Sequence, residues 1–371
     1  SASPSKAMPQ SKPPATTAFS RFSDSLPGWL GGDEIIRKDS SVYFLIFSLF
    51  LPVLQMNFLA SGMLRCSGNM YIPSILNILM CLLDIIFNFF LIFPKRQIEI
   101  MGLNIDIYGA GLGVKGAALG TVLAELVTAG GMMWYLCYRS PILKLSGERG
   151  HFLLRQDTLR NAVRISFPMG FEHIAICGAQ IMTTIIVAPL GIIAIAANSF
   201  AIIAESLCYM PGYGISEAAT TLVGQSLGAN RLKLLRRFAN IAVWSGISIM
   251  GIMGVFMYIA APQIIGVMTP IEEIRILGTE ILRIEAFAEP MFAAAIVTYG
   301  IFVGVGNTFI PSLMNFGSIW GIRLTLATLL APTMGLRGVW LAMCIELCFR
   351  GVIFLFRLWQ GKWIYKVRLK I

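Results

Sequence analysis

Long unbroken apolar runs, separated by short polar connectors, dominate the chain. They occupy residues 41–64, 72–94, 110–138, 161–188, 192–228, 238–262, 281–304, 309–331 and 336–358. A bilayer core takes about 20 mostly apolar residues per helix, so these runs predict nine spanning helices. A barrel does not fit, because its strands alternate apolar and polar side chains with a period of two. Helices are the remaining way to satisfy every backbone group in lipid. The run at 192–228 is too long for one straight span, and Pro211, Gly212 and Gly214 predict a bend within it.

Composition agrees with this pattern. Of the 371 residues 56% are apolar and only 13% charged, far from a soluble domain. The net charge of +10 raises the question of nucleic acid, but Lys and Arg fall mostly in the connectors, where they set membrane orientation; a nucleic-acid partner is not expected. The seven cysteines (Cys66, Cys81, Cys137, Cys177, Cys208, Cys344, Cys348) lie in or beside apolar runs with no C-x-x-C pair. They read as small apolar filler, not as disulfides or metal ligands. Residues 1–30, rich in Ser, Pro and Ala, are expected to be disordered or foreign to the fold.

The connector from Arg139 to Arg164 carries six Lys or Arg, the one at Arg231, Lys233, Arg236 and Arg237 four, and the tail from Arg357 to Lys370 five. These segments are expected on the cytoplasmic side. The intervening turns at Pro189–Gly191, 269–280 and Ala331–Gly335 are poor in positive charge, so the alternation is consistent. Counting back places the segment before the first span outside, although it carries Lys6, Lys12, Arg21, Arg37 and Lys38. An odd number of further helices would return it to the cytoplasm, so the chain is expected to be a truncated form of a longer protein.

The two halves repeat. Residues 62–77 (GMLRCSGNMYIPSILN) align without a gap with 300–315 (GIFVGVGNTFIPSLMN). Gly62/Gly300, Gly68/Gly306, Asn69/Asn307, Ile72/Ile310, Pro73/Pro311, Ser74/Ser312 and Asn77/Asn315 are identical. Turn residues recur at helix ends by chance, but chance does not fix the spacing of seven matches. Gly113-Val-Lys-Gly116 aligns with Gly335-Leu-Arg-Gly338, which gives the first copy 16 extra residues in its outer connector. Both copies begin outside and end at a basic segment, so the repeats are parallel, a transporter architecture with the substrate path between the halves. The predicted organisation is an incomplete N-lobe of three helices (31–138), a cytoplasmic connector (139–160), a complete C-lobe of six helices (161–358) and a basic tail (359–371). Gly62, Gly68, Pro73, Gly300, Gly306 and Pro311 are its structural turns.

From about residue 31 onward the chain resembles the multidrug and toxic compound extrusion (MATE) family. The resemblance rests on Gly62 to Asn69, with Asn where the family's turn has Asp, and on Gly113 to Ala118. It rests further on Met210-Pro-Gly-Tyr-Gly-Ile-Ser-Glu-Ala-Ala219 with Leu222-Val-Gly-Gln-Ser-Leu-Gly-Ala229, and on Glu289-Pro290. Arg323-Leu-Thr-Leu-Ala327 is close to a family Arg-x-Pro-Leu-Ala stretch, with Thr325 in place of the proline. The resemblance implies an all-α polytopic membrane protein, a two-lobe bundle with nine of an expected twelve spans, starting at the fourth. It also implies a monomeric multi-pass protein of the lipid bilayer, most simply the bacterial cytoplasmic membrane. Its activity would be secondary antiport, expelling amphipathic or cationic drugs and toxins in exchange for H⁺ or Na⁺, with no other cofactor. The alternative is a flippase of lipid-linked saccharides with a related fold, which requires a strongly basic central cavity.

Ionisable groups inside a membrane are costly and mark function by default. Glu172, four residues after Pro168, is the first candidate for cation coupling, and the family resemblance implies a cation-responsive carboxylate on this helix. The alternative is a carboxylate bonded to backbone or water near a proline-broken turn. Glu285 and Glu289 are one turn apart and are expected on one helix face, a pairing that suits proton exchange, and Pro290 frees carbonyls that would help ligate Na⁺. Against this, the pair falls in the first turns of its span and would also fit the outer interface. Asp84 and Asn88 share a helix face and resemble a family Asn-x-x-x-Asp pair in reverse order, without its usual acidic partner. Glu205, Glu346, Arg323 and Arg350 are further mid-span charges, with Arg323 and Glu346 expected to pair.

Gln180, Met182, Tyr209, Met210 and Tyr213 are candidates for lining a substrate cavity, since Met-rich walls adapt to many apolar ligands; plain packing or lipid contact is the other reading. Enzymatic chemistry is not expected. The only histidines are His151 and His173, and neither H-E-x-x-H nor G-x-S-x-G occurs.

Overall fold

The computed structural model describes residues 34–100, 103–144, 155–361 and 363, with backbone alone at 34–37, 96–100 and 103–107. The expected N-terminal segment 1–30, the middle of the basic connector at 145–154 and most of the basic tail lie outside the described residues. The chain divides into two compact units, Ser1–His151 and Phe152–Ile371, so the boundary falls inside the connector expected at 139–160.

The first unit contains α1 (Glu34–Leu49), α2 (Leu51–Cys66), α3 (Tyr71–Ile92), the strands β1 (Pro94–Ile100) and β2 (Leu103–Ala110), and α4 (Val114–Trp134), which continues as a π-turn over Tyr135–Arg139. The second contains α5 (Gln156–Val187), α6 (Ile192–Gly228), α7 (Leu232–Met268), α8 (Glu272–Ala286), α9 (Glu289–Gly304), α10 (Phe309–Ser318), a π-turn (Ile319–Arg323), α11 (Leu324–Met334) and α12 (Leu336–Trp359). Seven of these spans are long and apolar enough to cross a bilayer, and nine if each of two bent helix pairs is one span. Each of the nine predicted runs overlaps one of them. The bend expected at Pro211 does not interrupt α6, which is continuous over 37 residues; α5 and α7 likewise run through Pro168 and Pro262.

The repeat is visible in backbone geometry. Lys38–Leu49 and α2 meet at 48°, and α8 and α9 at 57°, with Pro52 and Pro290 at the same point just after each bend. Proline is tolerated there because the first helical N–H groups have no intrahelical acceptor. Each pair ends in the same cap: Gly68 (φ 90°) and Gly306 (φ 73°) adopt the left-handed conformation that favours glycine. Asn69 N–H donates to Leu64 O at 3.0 Å and Asn307 N–H to Phe302 O at 2.9 Å, the six-residue bond of a Schellman motif. Pro73 and Pro311, in the first turns of α3 and α10, are both buried. The copies differ at one place. The 16 extra residues are accounted for by the antiparallel hairpin β1–β2, with Ile98 opposite Ile105 and Ile100 opposite Leu103, in the connector between two helices of the all-α bundle.

Within the second unit α9 is the central element, packed on α6, α7 and α12, and Ala293, Ala294, Val297, Ile301 and Phe302 on it are fully buried. Such close approach depends on small residues, because in lipid the attraction between helices comes from packing and interhelical hydrogen bonds. A Cβ on Gly300 would lie 2.2 Å from Ser216 Oγ, and one on Gly351 2.4 Å from Met291 O. Ser216 Oγ donates to Ile296 O at 2.9 Å and Thr220 Oγ1 to Gly300 O at 2.8 Å, tying α6 to α9. Gly62, the counterpart of Gly300, has no described atom within 4 Å of its Cβ position.

Candidate functional site

Glu172 lies midway along α5 and is buried. Three neutral donors converge on its carboxylate. Tyr299 Oη on α9 donates to Oε2 at 2.7 Å, Ser312 Oγ on α10 donates to the same oxygen, and Asn315 Nδ2 one turn further donates to Oε1. Among the described residues no Lys, Arg or His forms a salt bridge to this carboxylate. Ser312 and Asn315 belong to the repeated sequence block, where the turn at Gly306 sets the start of α10 and so places both on one face, three residues apart. Sequence reasoning found the repeat but did not assign these two side chains to Glu172, and it did not single out Tyr299. The signal available was that the repeat preserves polar as well as turn residues. In the first unit the counterparts serve otherwise: Ser74 Oγ donates to Met70 O at 2.7 Å.

Glu285 and Glu289 are both completely buried within the second unit. They also do not share a helix face. Glu285 is in the last turn of α8 and Glu289 is the first residue of α9, on either side of the 57° bend. None of the four carboxyl oxygens has a hydrogen-bond partner among the described residues. Gly254 on α7 makes room for Glu289, whose Cβ lies 3.1 Å from where a glycine Cβ would be. Glu205 on α6, also buried, is within electrostatic reach of both.

On the other side of Glu205 is a cavity of about 420 Å³ enclosed by α5, α6, α9, the π-turn at 319–323, α11 and α12. Ile176, Ile202, Phe292, Ile319 and Met343 supply apolar wall; Gln180, Asn198, Glu205, Arg323 and Arg350 supply polar groups. That size and mixture are typical of a small-molecule site. Of the residues expected to line a cavity, Gln180, Tyr209 and Tyr213 do so, with Tyr209 stacked edge-on to Tyr213 and to Phe292. Met182 and Met210 are outside the lining and exposed. Trp340 Nε1 donates to Asn198 Oδ1 at 2.9 Å, so the indole at the cavity wall is satisfied.

The expected pair of Arg323 and Glu346 forms, with Nε and Nη2 donating to Oε2 at 3.1 and 2.8 Å. Ser318 Oγ donates to Oε1 at 2.6 Å. Arg350 Nε lies 3.2 Å from Oε1 as an ion pair, its N–H not aligned for a hydrogen bond. One fully buried carboxylate thus faces two guanidinium groups.

In the first unit Asn88 Nδ2 donates to Asp84 Oδ1 at 3.0 Å within α3, and Asn88 Oδ1 is buried without a partner against Gly120. A contact that sequence reasoning missed lies nearby on the other helices: Asn57 Nδ2 of α2 donates to Glu125 Oε2 of α4 at 2.6 Å.

Stacked spanning helices, a twofold repeat with a broken helix in each copy and buried carboxylates beside an amphipathic cavity define a polytopic α-helical membrane protein of the transporter class. Comparison with known proteins agrees. The MatE family profile matches residues 14–90 and 168–329, more than half of the chain. The chain belongs to the MatE family. It is 27% identical over 309 residues to a probable multidrug resistance protein NorM of Thermotoga maritima, covering 82% of this chain and 63% of the relative. It is 23% identical over 342 residues to an uncharacterized transporter, YisQ, of Bacillus subtilis, covering 91% of this chain and 72% of that one. Its fold is similar to a MATE crystal structure in complex with MaL6 (TM-score 0.81, 19% identity, 95% of this chain, 76% of that one). It is also similar to a MOP-superfamily transporter of Pyrococcus furiosus described as having a binding pocket of reversed polarity (TM-score 0.81, 19% identity, 95% and 75%). The chain spans less than two thirds of the Thermotoga relative.

Proposed function

We propose that this protein is a secondary antiporter that exports amphipathic or cationic drugs and toxins in exchange for H⁺ or Na⁺, with Glu172 as the principal coupling residue. One observation carries the reading: Glu172 is a buried carboxylate held by three neutral donors, with no salt bridge to a cationic side chain among the described residues. A buried carboxylate bonded only to neutral groups favours a proton or a small cation beside it, and the oxygens of Tyr299, Ser312 and Asn315 are hard ligands available to such a cation or to a proton's bonding partner. The α5 residues Ile176, Ala179 and Gln180, one to two turns on, line the cavity, so a shift of this helix on ion release reaches the substrate site. Glu285 and Glu289 beside the bend are the second coupling pair, and Asp84 with Asn88 the third.

The flippase alternative asks for a strongly basic cavity. Arg323 and Arg350 do line it, but Glu346 is bound to both and Glu205 shares the lining, so the sign is mixed. The test is dye efflux from cells expressing the protein while the Na⁺ and proton gradients are collapsed separately. Efflux stops with one gradient and falls to background in Glu172→Gln; efflux indifferent to both gradients and to the substitution would remove the coupling assignment.

A further inference from the structure

The cavity beside α5 has an uneven commitment of charge. Glu346 is fully buried behind the wall, and its oxygens are occupied by two bonds from Arg323, one from Ser318 and the Arg350 Nε contact. Also in the lining are Arg350, whose guanidinium carbon lies over the Phe292 ring at 5.4 Å, and Glu205. Both residues are more than nine-tenths buried, and neither makes a further hydrogen bond among the described residues. A guanidinium cannot give up its charge, whereas a carboxylate can take a proton. The two guanidinium groups and the carboxylates of Glu346 and Glu205 balance when Glu205 is ionised, and the cavity carries one net positive charge when Glu205 takes a proton; Arg350 then offers a fork that matches a carboxylate two bonds at a time.

We propose that this cavity takes an amphipathic organic acid, its carboxylate seated on Arg350 beside Phe292 and its apolar body along Tyr209 and Ile202, with Glu205 opposing the acid. This rests on the reading of the cavity as the substrate site, and it narrows the substrate class within it.

The test is equilibrium binding to the purified protein in lipid nanodiscs, with no ion gradient, so that failure of ion coupling and failure of acid recognition are separable. The probes are three fluorescent pyrenes of one chain length: pyrenebutyrate, its methyl ester and the corresponding trimethylammonium. The carboxylate binds at least about tenfold tighter than the ester, the size expected of one charge-assisted pair, and the ammonium binds more weakly still. Arg350→Gln removes the preference for the acid over the ester. Glu205→Gln moves the other way and tightens the carboxylate several-fold, a sign that general loosening of the fold does not produce. If Arg350→Gln fails to fold, the probe series on the unsubstituted protein and on Glu205→Gln decides. Equal binding of ester and acid, preference for the ammonium, or loss of acid binding in Glu205→Gln overturns the proposal.

Discussion

Tyr299 and Glu172 are 127 residues apart in sequence and meet through a phenol O–H donated to a carboxylate at 2.7 Å, joining the middle of α9 to the middle of α5. The bond links the broken span, whose bend lies ten residues earlier, to the helix that forms one wall of the cavity. Tyr299→Phe removes one of three donors and leaves Ser312 and Asn315 in place. Thermal unfolding in detergent is expected to show a loss of about 1 kcal/mol, and the ion concentration needed for half-maximal efflux is expected to change. Asn315→Leu, which orphans Glu172 Oε1 in a buried position, costs more, about 2–3 kcal/mol. Equal stability of Asn315→Leu and the unsubstituted protein would mean that this oxygen is solvated.

A buried ion cluster behaves differently when one member is removed than when a pair is removed. Glu346→Gln removes the carboxylate that both Arg323 and Arg350 contact and leaves two guanidinium groups with Glu205 as the carboxylate in the same lining, and a loss of about 3–5 kcal/mol is expected. Adding Arg323→Gln to the same protein restores part of it, because it withdraws one of the two orphaned cations. The double variant is thus more stable than Glu346→Gln alone. Chemical denaturation of the three proteins side by side checks this, and additive losses would refute the cluster.

Much of the architecture was legible because membrane spans and turns have strong sequence signals. The apolar runs found every span, and Gly68 and Gly306 marked both caps since a left-handed residue in a tight turn is most often glycine. Glu172 was legible because a lone carboxylate in an apolar run is costly. Its donors were not, since contacts such as Glu172 with Asn315 join residues 143 apart and no local pattern encodes them. The face shared by Glu285 and Glu289 was misjudged because helical spacing holds only within one helix, and the bend falls between them. The hairpin at 94–110 went unassigned although Ile98, Ile100, Ile105 and Ile107 alternate with polar residues, a period of two that a search for long apolar runs passes over.

Backbone contact at small residues is the most exacting feature of the second unit. A Cβ on Gly351 meets the Met291 carbonyl oxygen at 2.4 Å, and one on Gly304 meets the Thr220 oxygen at 2.5 Å. Neither neighbour is the end of a flexible side chain, so the helices themselves must separate. Gly351→Ala and Gly304→Ala are each expected to lower stability by about 1–3 kcal/mol. Gly317→Ala, with open space around its Cβ position, serves as the control and is expected to be neutral or slightly stabilising. Retained melting temperature in Gly351→Ala would show that α9 and α12 are farther apart than described.

The pair of Glu280 and Arg337 gives the opposite case to Glu346. Its nitrogen and oxygen are 2.6 Å apart, yet the side chains are 40% and 53% exposed. Water and salt screen such a contact, and its side chains lose rotamer freedom to hold it, so short distance does not imply strength. Glu280→Gln is expected to change stability by less than about 1 kcal/mol. Whatever difference appears at low ionic strength is expected to shrink as salt is raised, whereas the loss in Glu346→Gln persists because that carboxylate is beyond the reach of the electrolyte. Unfolding of both variants across a salt series separates the two, and a salt-independent loss at Glu280 would show that this pair is shielded from solvent in the folded membrane protein.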